Sequence, residues 1–156
     1  MLDSDYQQHL GTLIKSLDDS IELPPEMSGY FQESGPITPC ANDRRKSVRT
    51  RVRTRCVIVP QKWLPAFSRK PEPQLAYTKD FSKTGFGFLV PEQMYPCEEV
   101  RVILATFWME VRIRRSRRLG DNCFEVGGEL VRTNEPTMRA FNFDKPAKRY
   151  RFTASR

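Results

Sequence analysis

Two short stretches of this sequence carry residue types at spacings that suit nucleotide chemistry. The first, Asp43-Arg44-Arg45-Lys46-Ser47-Val48-Arg49, continues into an alternating run of Arg51, Arg53 and Arg55. A guanidinium binds phosphate through paired N–H donors and also donates to the O6 and N7 acceptors of guanine, so clustered arginines can take both parts of a guanine nucleotide. The same run equally suits a solvated basic arm with nonspecific affinity for nucleic acid. The second stretch, Asp80-Phe81-Ser82-Lys83-Thr84-Gly85-Phe86-Gly87-Phe88, joins two expected strands. Asp80 is an acceptor for guanine N1–H or N2–H, Ser82 can reach an exocyclic amine or a phosphate, and Gly85 permits a positive φ or a close approach. Its plainer reading is a well-formed turn held by Asp and Ser.

Other chemistries lack their residues. His9 is the one histidine, and Cys40, Cys56, Cys97 and Cys123 are far apart with no CxxC, which excludes a zinc cage and a disulfide framework. No GxxxxGK[ST] loop is present, and a Ser-His or Cys-His mechanism finds no context for its histidine. The expectation is a protein that is not an enzyme, with no catalytic residue, no metal and no cofactor. The chain has no run of about 20 apolar residues, and its start, Met-Leu-Asp-Ser-Asp-Tyr, lacks the features of a signal peptide, so a cytoplasmic location without a membrane span is expected.

The elements that must position these residues follow from charge and periodicity. The net charge of +7 hides a partition: residues 1–40 hold one Lys against seven Asp or Glu, a balance of −6, and the rest hold 25 Lys or Arg against 12 Asp or Glu, a balance of +13. A basic body of this kind points to an anionic partner. In the acidic head, Leu2, Tyr6, Leu10, Leu13, Ile14 and Leu17 recur at helical spacing, which predicts a helix over residues 4–18. Pro24, Pro25, Pro36 and Pro39 with Gly29 and Gly35 make residues 22–41 a poor candidate for regular structure and read as a linker. The body alternates instead, with strands expected over residues 52–59, 74–79, 86–90, 98–105, 107–116 and 123–132. Six antiparallel strands suit a small closed barrel, because closure removes exposed edges. A short helical turn over residues 136–141 and a loose basic tail over 145–156 follow. The chain thus divides into an acidic helix and proline-rich linker (1–41), a mainly β barrel (42–133), and a helical turn with a basic tail (134–156).

Taken together, the two stretches resemble the signature of the PilZ domain family, RxxxR in an N-terminal loop followed by [D/N]xSxxG. Here these stand as Arg45-Lys46-Ser47-Val48-Arg49 and Asp80-Phe81-Ser82-Lys83-Thr84-Gly85, and a later Gly127-Gly128-Glu129-Leu130 is similar to the family's glycine-hydrophobic-Glu-Phe ending with Leu in place of the aromatic. The resemblance covers roughly residues 42–132. It implies a six-stranded PilZ-type β-barrel from a bacterial protein that binds the second messenger cyclic di-GMP and performs no chemistry on it. It further implies that Arg45 and Arg49 grip guanine edges and phosphates, that Asp80 and Ser82 hold a guanine, and that Gly85 shapes the turn. An arginine immediately before RxxxR, here Arg44, often accompanies two mutually stacked ligand molecules in this family, so two are expected. The downstream protein partner is not named by any motif.

Two other readings compete. One is a single-stranded nucleic-acid binder in which Phe86, Phe88 or Trp108 stacks bases and Arg112, Arg114, Arg115, Arg117 and Arg118 track phosphates. The other is a ligand-free protein adaptor, against which the intact signature argues. The opposed charges of head and body also raise the expectation that the head lies near the arginines and that bound ligand competes with it.

Overall fold

The computed structural model describes residues 4–36, 49–64, 71–143 and 148–149 of the chain. In chain order these form α1 (Ser4–Ser16), two single 3-10 turns (Pro25–Met27 and Tyr30–Gln32), the two-residue strands β1 (Gly35–Pro36) and β2 (Thr50–Arg51), and six longer strands. Those six are β3 (Arg55–Trp63), β4 (Gln74–Phe81), β5 (Gly85–Val90), β6 (Glu99–Ile103), β7 (Trp108–Gly120) and β8 (Cys123–Asn134), followed by a 3-10 turn, Met138–Phe141, and β9 (Lys148–Arg149). No helix among the described residues is long and apolar enough to cross a membrane.

The six expected strands are all present and close on themselves. β4, β5, β8, β7 and β6 pair in that order, and β3 pairs with both β6 and β4, which completes a six-stranded antiparallel barrel. The first strand begins three residues later than alternation suggests. There the Thr78 hydroxyl accepts from the Thr54 N–H at 2.8 Å and donates to the Val52 carbonyl, substituting a side-chain bond for the ladder. The same strand runs past Pro60, because an irregularity between Pro60 and Lys62 absorbs the missing N–H.

Inside the barrel, Ile58, Ala76, Phe86, Phe88, Val90, Val102, Met109, Val111, Ile113 and Val126 form one apolar cluster. The outer faces of β3 and β4 are apolar as well, and the N-terminal segment covers them. Tyr6 and Leu10 of α1 pack on Val57, Val59, Ile103 and Trp108, and Ile21 and Tyr30 pack on Leu75, Tyr77, Leu89 and Cys123. Strands covered on both sides lose strict alternation, which is why Cys56-Val57-Ile58-Val59 reads as a continuous apolar run.

Helix α1 ends two residues earlier than its apolar spacing predicts. The Ser16 hydroxyl donates to the Leu13 carbonyl at 2.7 Å, a local bond that competes with another helical turn. Residues 22–36 are also more ordered than their prolines suggest: the Tyr30 hydroxyl is buried and donates to the Thr78 carbonyl at 2.6 Å. A nearly buried Tyr30 ring anchors a stretch whose backbone has little regular structure of its own. After β8, the expected turn forms as Met138–Phe141, and Phe141 meets the Tyr6 ring at 5.2 Å. Of the expected loose tail, Lys148 and Arg149 pair in parallel with Lys62 and Trp63, and the other tail residues lie outside the described residues.

Candidate functional site

Two β-bulges build the outer surface on which the second signature stretch sits. Along β4, Thr78 faces Phe88 but Asp80 faces Gly87, so Lys79 is an extra residue. Ala76 and Phe81 both turn toward the barrel interior, although five residues apart, so the bulge inverts the alternation and sends Asp80 outward. Along β7, Ile113 faces Gly128 but Arg115 faces Gly127, so Arg114 is the extra residue. Met109, Val111 and Ile113 point inward; without the bulge Arg115 would follow them. Register then aligns Arg51, Asp80, Gly87, Gly127 and Arg115 in one outward-facing row across β2, β4, β5, β8 and β7.

The two glycines of this row leave room that no other residue would. A Cβ on Gly87 would stand 2.8 Å from Asp80 Oδ1, and one on Gly127 would stand 2.9 Å from Arg115 Nε. The Asp80 carboxylate therefore lies over β5 and the Arg115 side chain over β8, on either side of a cleft of about 240 Å³. Arg49, Lys79, Asp80, Arg115, Arg117 and Glu125 supply its charges, four cations against two carboxylates.

Of the signature residues, Arg49, Asp80, Ser82 and Gly85 are described, whereas Arg44 and Arg45 lie outside the described residues. Arg49 Nη1 is 3.3 Å from Asp80 Oδ1, and Asp80 is 3% exposed, so the two halves of the signature meet in this cleft. Lys79 Nζ lies 3.7 Å from the other Asp80 oxygen. A nearly buried carboxylate requires such partners, since an uncompensated charge there is costly. Ser82 holds the turn: its hydroxyl accepts from the Gly85 N–H at 3.0 Å, and its own N–H donates to the Gly85 carbonyl at 3.0 Å. Gly85 serves through close approach rather than positive φ, because a Cβ there would meet Ser82 Oγ at 3.2 Å. The turn reading of this stretch is thus realised, with the Ser82 proton still available to an acceptor.

The ends of the arginine-bearing stretch are fixed to the same place. Gly35 pairs with Arg51 and Pro36 with Thr50, and β2 pairs in turn with Asp80 and Phe81 of β4. On the far rim of the cleft, Glu125 accepts from Lys79 at 2.6 Å and from Arg117 at 2.8 Å. Burial alone would raise the Glu125 pKa, but those two cations outweigh it and hold the carboxyl below its ordinary value.

The acidic head approaches neighbouring arginines. Glu33 binds Arg53 at 2.6 Å, Arg53 also lies over the Tyr30 ring at 4.3 Å, and Asp19 accepts from the Tyr77 hydroxyl at 2.5 Å beside Arg55. Burial pushes the Tyr30 and Tyr77 hydroxyls well above the usual phenol range, so both act as neutral donors. The arginines named for a nucleic-acid track are largely neutralised. Arg112 meets Glu99 at 3.7 Å, Arg114 meets Glu129, Arg117 meets Glu125, and Arg118 meets Asp121 at 2.6 Å. Phe86, Phe88 and Trp108, the proposed base platforms, are buried. No group of His, Cys, Asp and Glu among the described residues could hold a metal ion.

Sequence reasoning assigned no role to Lys79, nor to Gly87 and Gly127, which stood only within longer stretches, and it set Arg115 on a nucleic-acid track. Bulges carry no sharp sequence signal, but glycines inside strands do: Phe86-Gly87-Phe88 and Val126-Gly127-Gly128 mark places where something must come close. In comparisons with known proteins, the PilZ domain model matches residues 43–142. No curated protein matches the chain.

Proposed function

The chain belongs to the PilZ domain family, the family of cyclic di-GMP receptors, and from that premise we propose that it is a receptor whose contacts with a downstream protein change when cyclic di-GMP binds. Arg45 and Arg49 take guanine edges and phosphates, Asp80 accepts from guanine N1–H and N2–H, Ser82 donates from the hydroxyl that holds its turn, and Gly85 keeps that turn tight. Arg44 supports two stacked ligand molecules. The reaction class is binding without chemistry, in the cytoplasm of a bacterial cell. The observation that carries this reading is the 3.3 Å pair of Arg49 with Asp80, which joins the two halves of the signature at a cleft.

A route to the output follows from the same geometry. Arg49 adjoins β2, and β2 pairs with β1, two residues after Glu33. Ligand that draws Arg49 off Asp80 pulls on β2 and, through β1, on the described part of the acidic segment, residues 4–36, which packs on the outer faces of β3 and β4. The covering segment is then the part whose exposure a partner reads.

Calorimetry on single variants tests the assignment. Each charge-assisted hydrogen bond is worth about 1.5–3 kcal/mol, so Arg45→Ala and Arg49→Ala should each weaken cyclic di-GMP binding by at least about tenfold. Lys83→Ala, which removes an exposed cation between Ser82 and Gly85, should change it little. Wild-type affinity in both arginine variants would overturn the reading.

A further inference from the structure

Resting on that receptor reading, we infer that Arg115 is a third ligand-binding arginine of the cleft, outside the two-part signature, and that it reads the O6 and N7 edge of the guanine whose N1–H and N2–H edge is held by Asp80.

Three observations converge on Arg115. Among the described residues it is the arginine of β7 with no carboxylate partner, since Arg112, Arg114, Arg117 and Arg118 are each paired. Every other cation lining the cleft is also engaged: Arg49 by Asp80, Lys79 by Asp80 and Glu125, and Arg117 by Glu125. Moreover, the bulge at Arg114 exists in the fold at the cost of a regular ladder, and its effect is to bring Arg115 out of the inward series and opposite Gly127. A glycine at that place leaves the guanidinium a seat against the strand, because any Cβ would collide with Arg115 Nε at 2.9 Å.

The ligand edge follows from what faces Arg115. Asp80 leans over Gly87 and Arg115 over Gly127, and Gly87 and Gly127 are register partners on adjacent strands, which lie ~4.8 Å apart. The two side chains therefore reach toward each other, yet they form no ion pair among the described residues. A carboxylate and a free guanidinium lining the same cleft suit a planar group that offers donors on one edge and acceptors on the next. Guanine does this, with N1–H and N2–H toward Asp80 and O6 with N7 toward a forked guanidinium. Adenine places an amino donor where guanine has O6, which would oppose Arg115.

The test measures cyclic di-GMP binding by the full chain, wild type and Arg115→Ala, with Arg114→Ala as the neighbouring charge control. Arg115→Ala should lose about ten- to hundredfold in affinity, and Arg114→Ala less than about threefold, as for an exposed ion pair. A cyclic di-GMP analogue built with 7-deazaguanine, which lacks the N7 acceptor, should bind wild type more weakly than the natural ligand and bind Arg115→Ala no more weakly than it does. Equal affinity of Arg115→Ala and wild type, equal losses in the two arginine variants, or an equal deaza penalty in wild type and Arg115→Ala would each overturn the inference. Failure of the wild-type chain to bind cyclic di-GMP would instead overturn the receptor reading, and this inference with it.

Discussion

Gly87→Ala separates the binding role of the cleft from the stability of the barrel. Gly87 is buried in β5 between β4 and β8, so its backbone is already extended and an alanine gains about 0.5–1 kcal/mol of strand stability from reduced chain freedom. Against this, the new Cβ would lie 2.8 Å from Asp80 Oδ1, 3.5 Å from Asp80 Cγ and 3.7 Å from Lys79 Cβ. The carboxylate must swing away, which stretches its 3.3 Å contact with Arg49 and its 3.7 Å contact with Lys79. Overpacking of this kind costs about 1–3 kcal/mol, so the net loss is about 0–2.5 kcal/mol and Tm falls by less than about 10 °C at ~2–4 °C per kcal/mol. Ligand binding suffers more in proportion, because the displaced carboxylate no longer meets the guanine donors. Losing a charge-assisted bond of about 1.5–3 kcal/mol weakens binding by about ten- to hundredfold. Calorimetric titration paired with thermal unfolding reads both quantities. A Gly87→Ala variant that stays folded and binds cyclic di-GMP within about twofold of wild type would refute the role given to Asp80.

Three further outcomes are expected. Gly11→Ala, in the middle of α1 with nothing within 4 Å of the new methyl, should raise Tm by about 2–4 °C through helix propensity alone and leave ligand binding unchanged. Tyr6→Phe removes the hydroxyl that donates to the Leu104 carbonyl at 2.5 Å and lies 3.0 Å from that of Phe107, and should cost about 1–3 kcal/mol in chemical denaturation. Glu125 has a folded pKa below its unfolded value of 4.5, so its contribution to stability is complete above that pH and is lost as pH falls through the lower folded value. Unfolding of Glu125→Gln should accordingly differ from wild type at pH 7, and the difference should shrink as the pH is lowered below 4.5; a difference that stays constant to pH 3 would assign the effect to packing.

The barrel was legible because its strands carry two clear signals, alternation in β7 and turn residues between strands. Met109, Val111 and Ile113 fell on one face in sequence, and the structure puts them in the interior. Strand ends were less legible. Pro60 argued for a stop, but a bulge carries β3 through it, and Thr78 shortens the other end of β3 with a bond made only in three dimensions. The head helix was visible from Tyr6, Leu10 and Leu13, whereas the burial of Tyr30 was not, because one aromatic among prolines carries no period. Arg49 and Asp80 of the cleft, and Ser82 and Gly85 of the turn that follows Asp80, stood out through fixed spacing. Arg115 did not, because simple alternation puts it inside the barrel and only a bulge one residue earlier puts it outside. The head was expected near the arginines in general; its carboxylates Glu33 and Asp19 reach Arg53 and Arg55, a distinction that depends on side-chain direction rather than on net charge.

The most direct measurement is isothermal titration calorimetry of the full chain with cyclic di-GMP at physiological salt, with cyclic di-AMP and linear guanine dinucleotide as competitors. The account predicts saturable binding that neither competitor displaces at comparable concentration, with two ligand molecules per chain. Absence of heat and of competition across all three ligands would contradict it, leaving a barrel that carries the signature without the ligand.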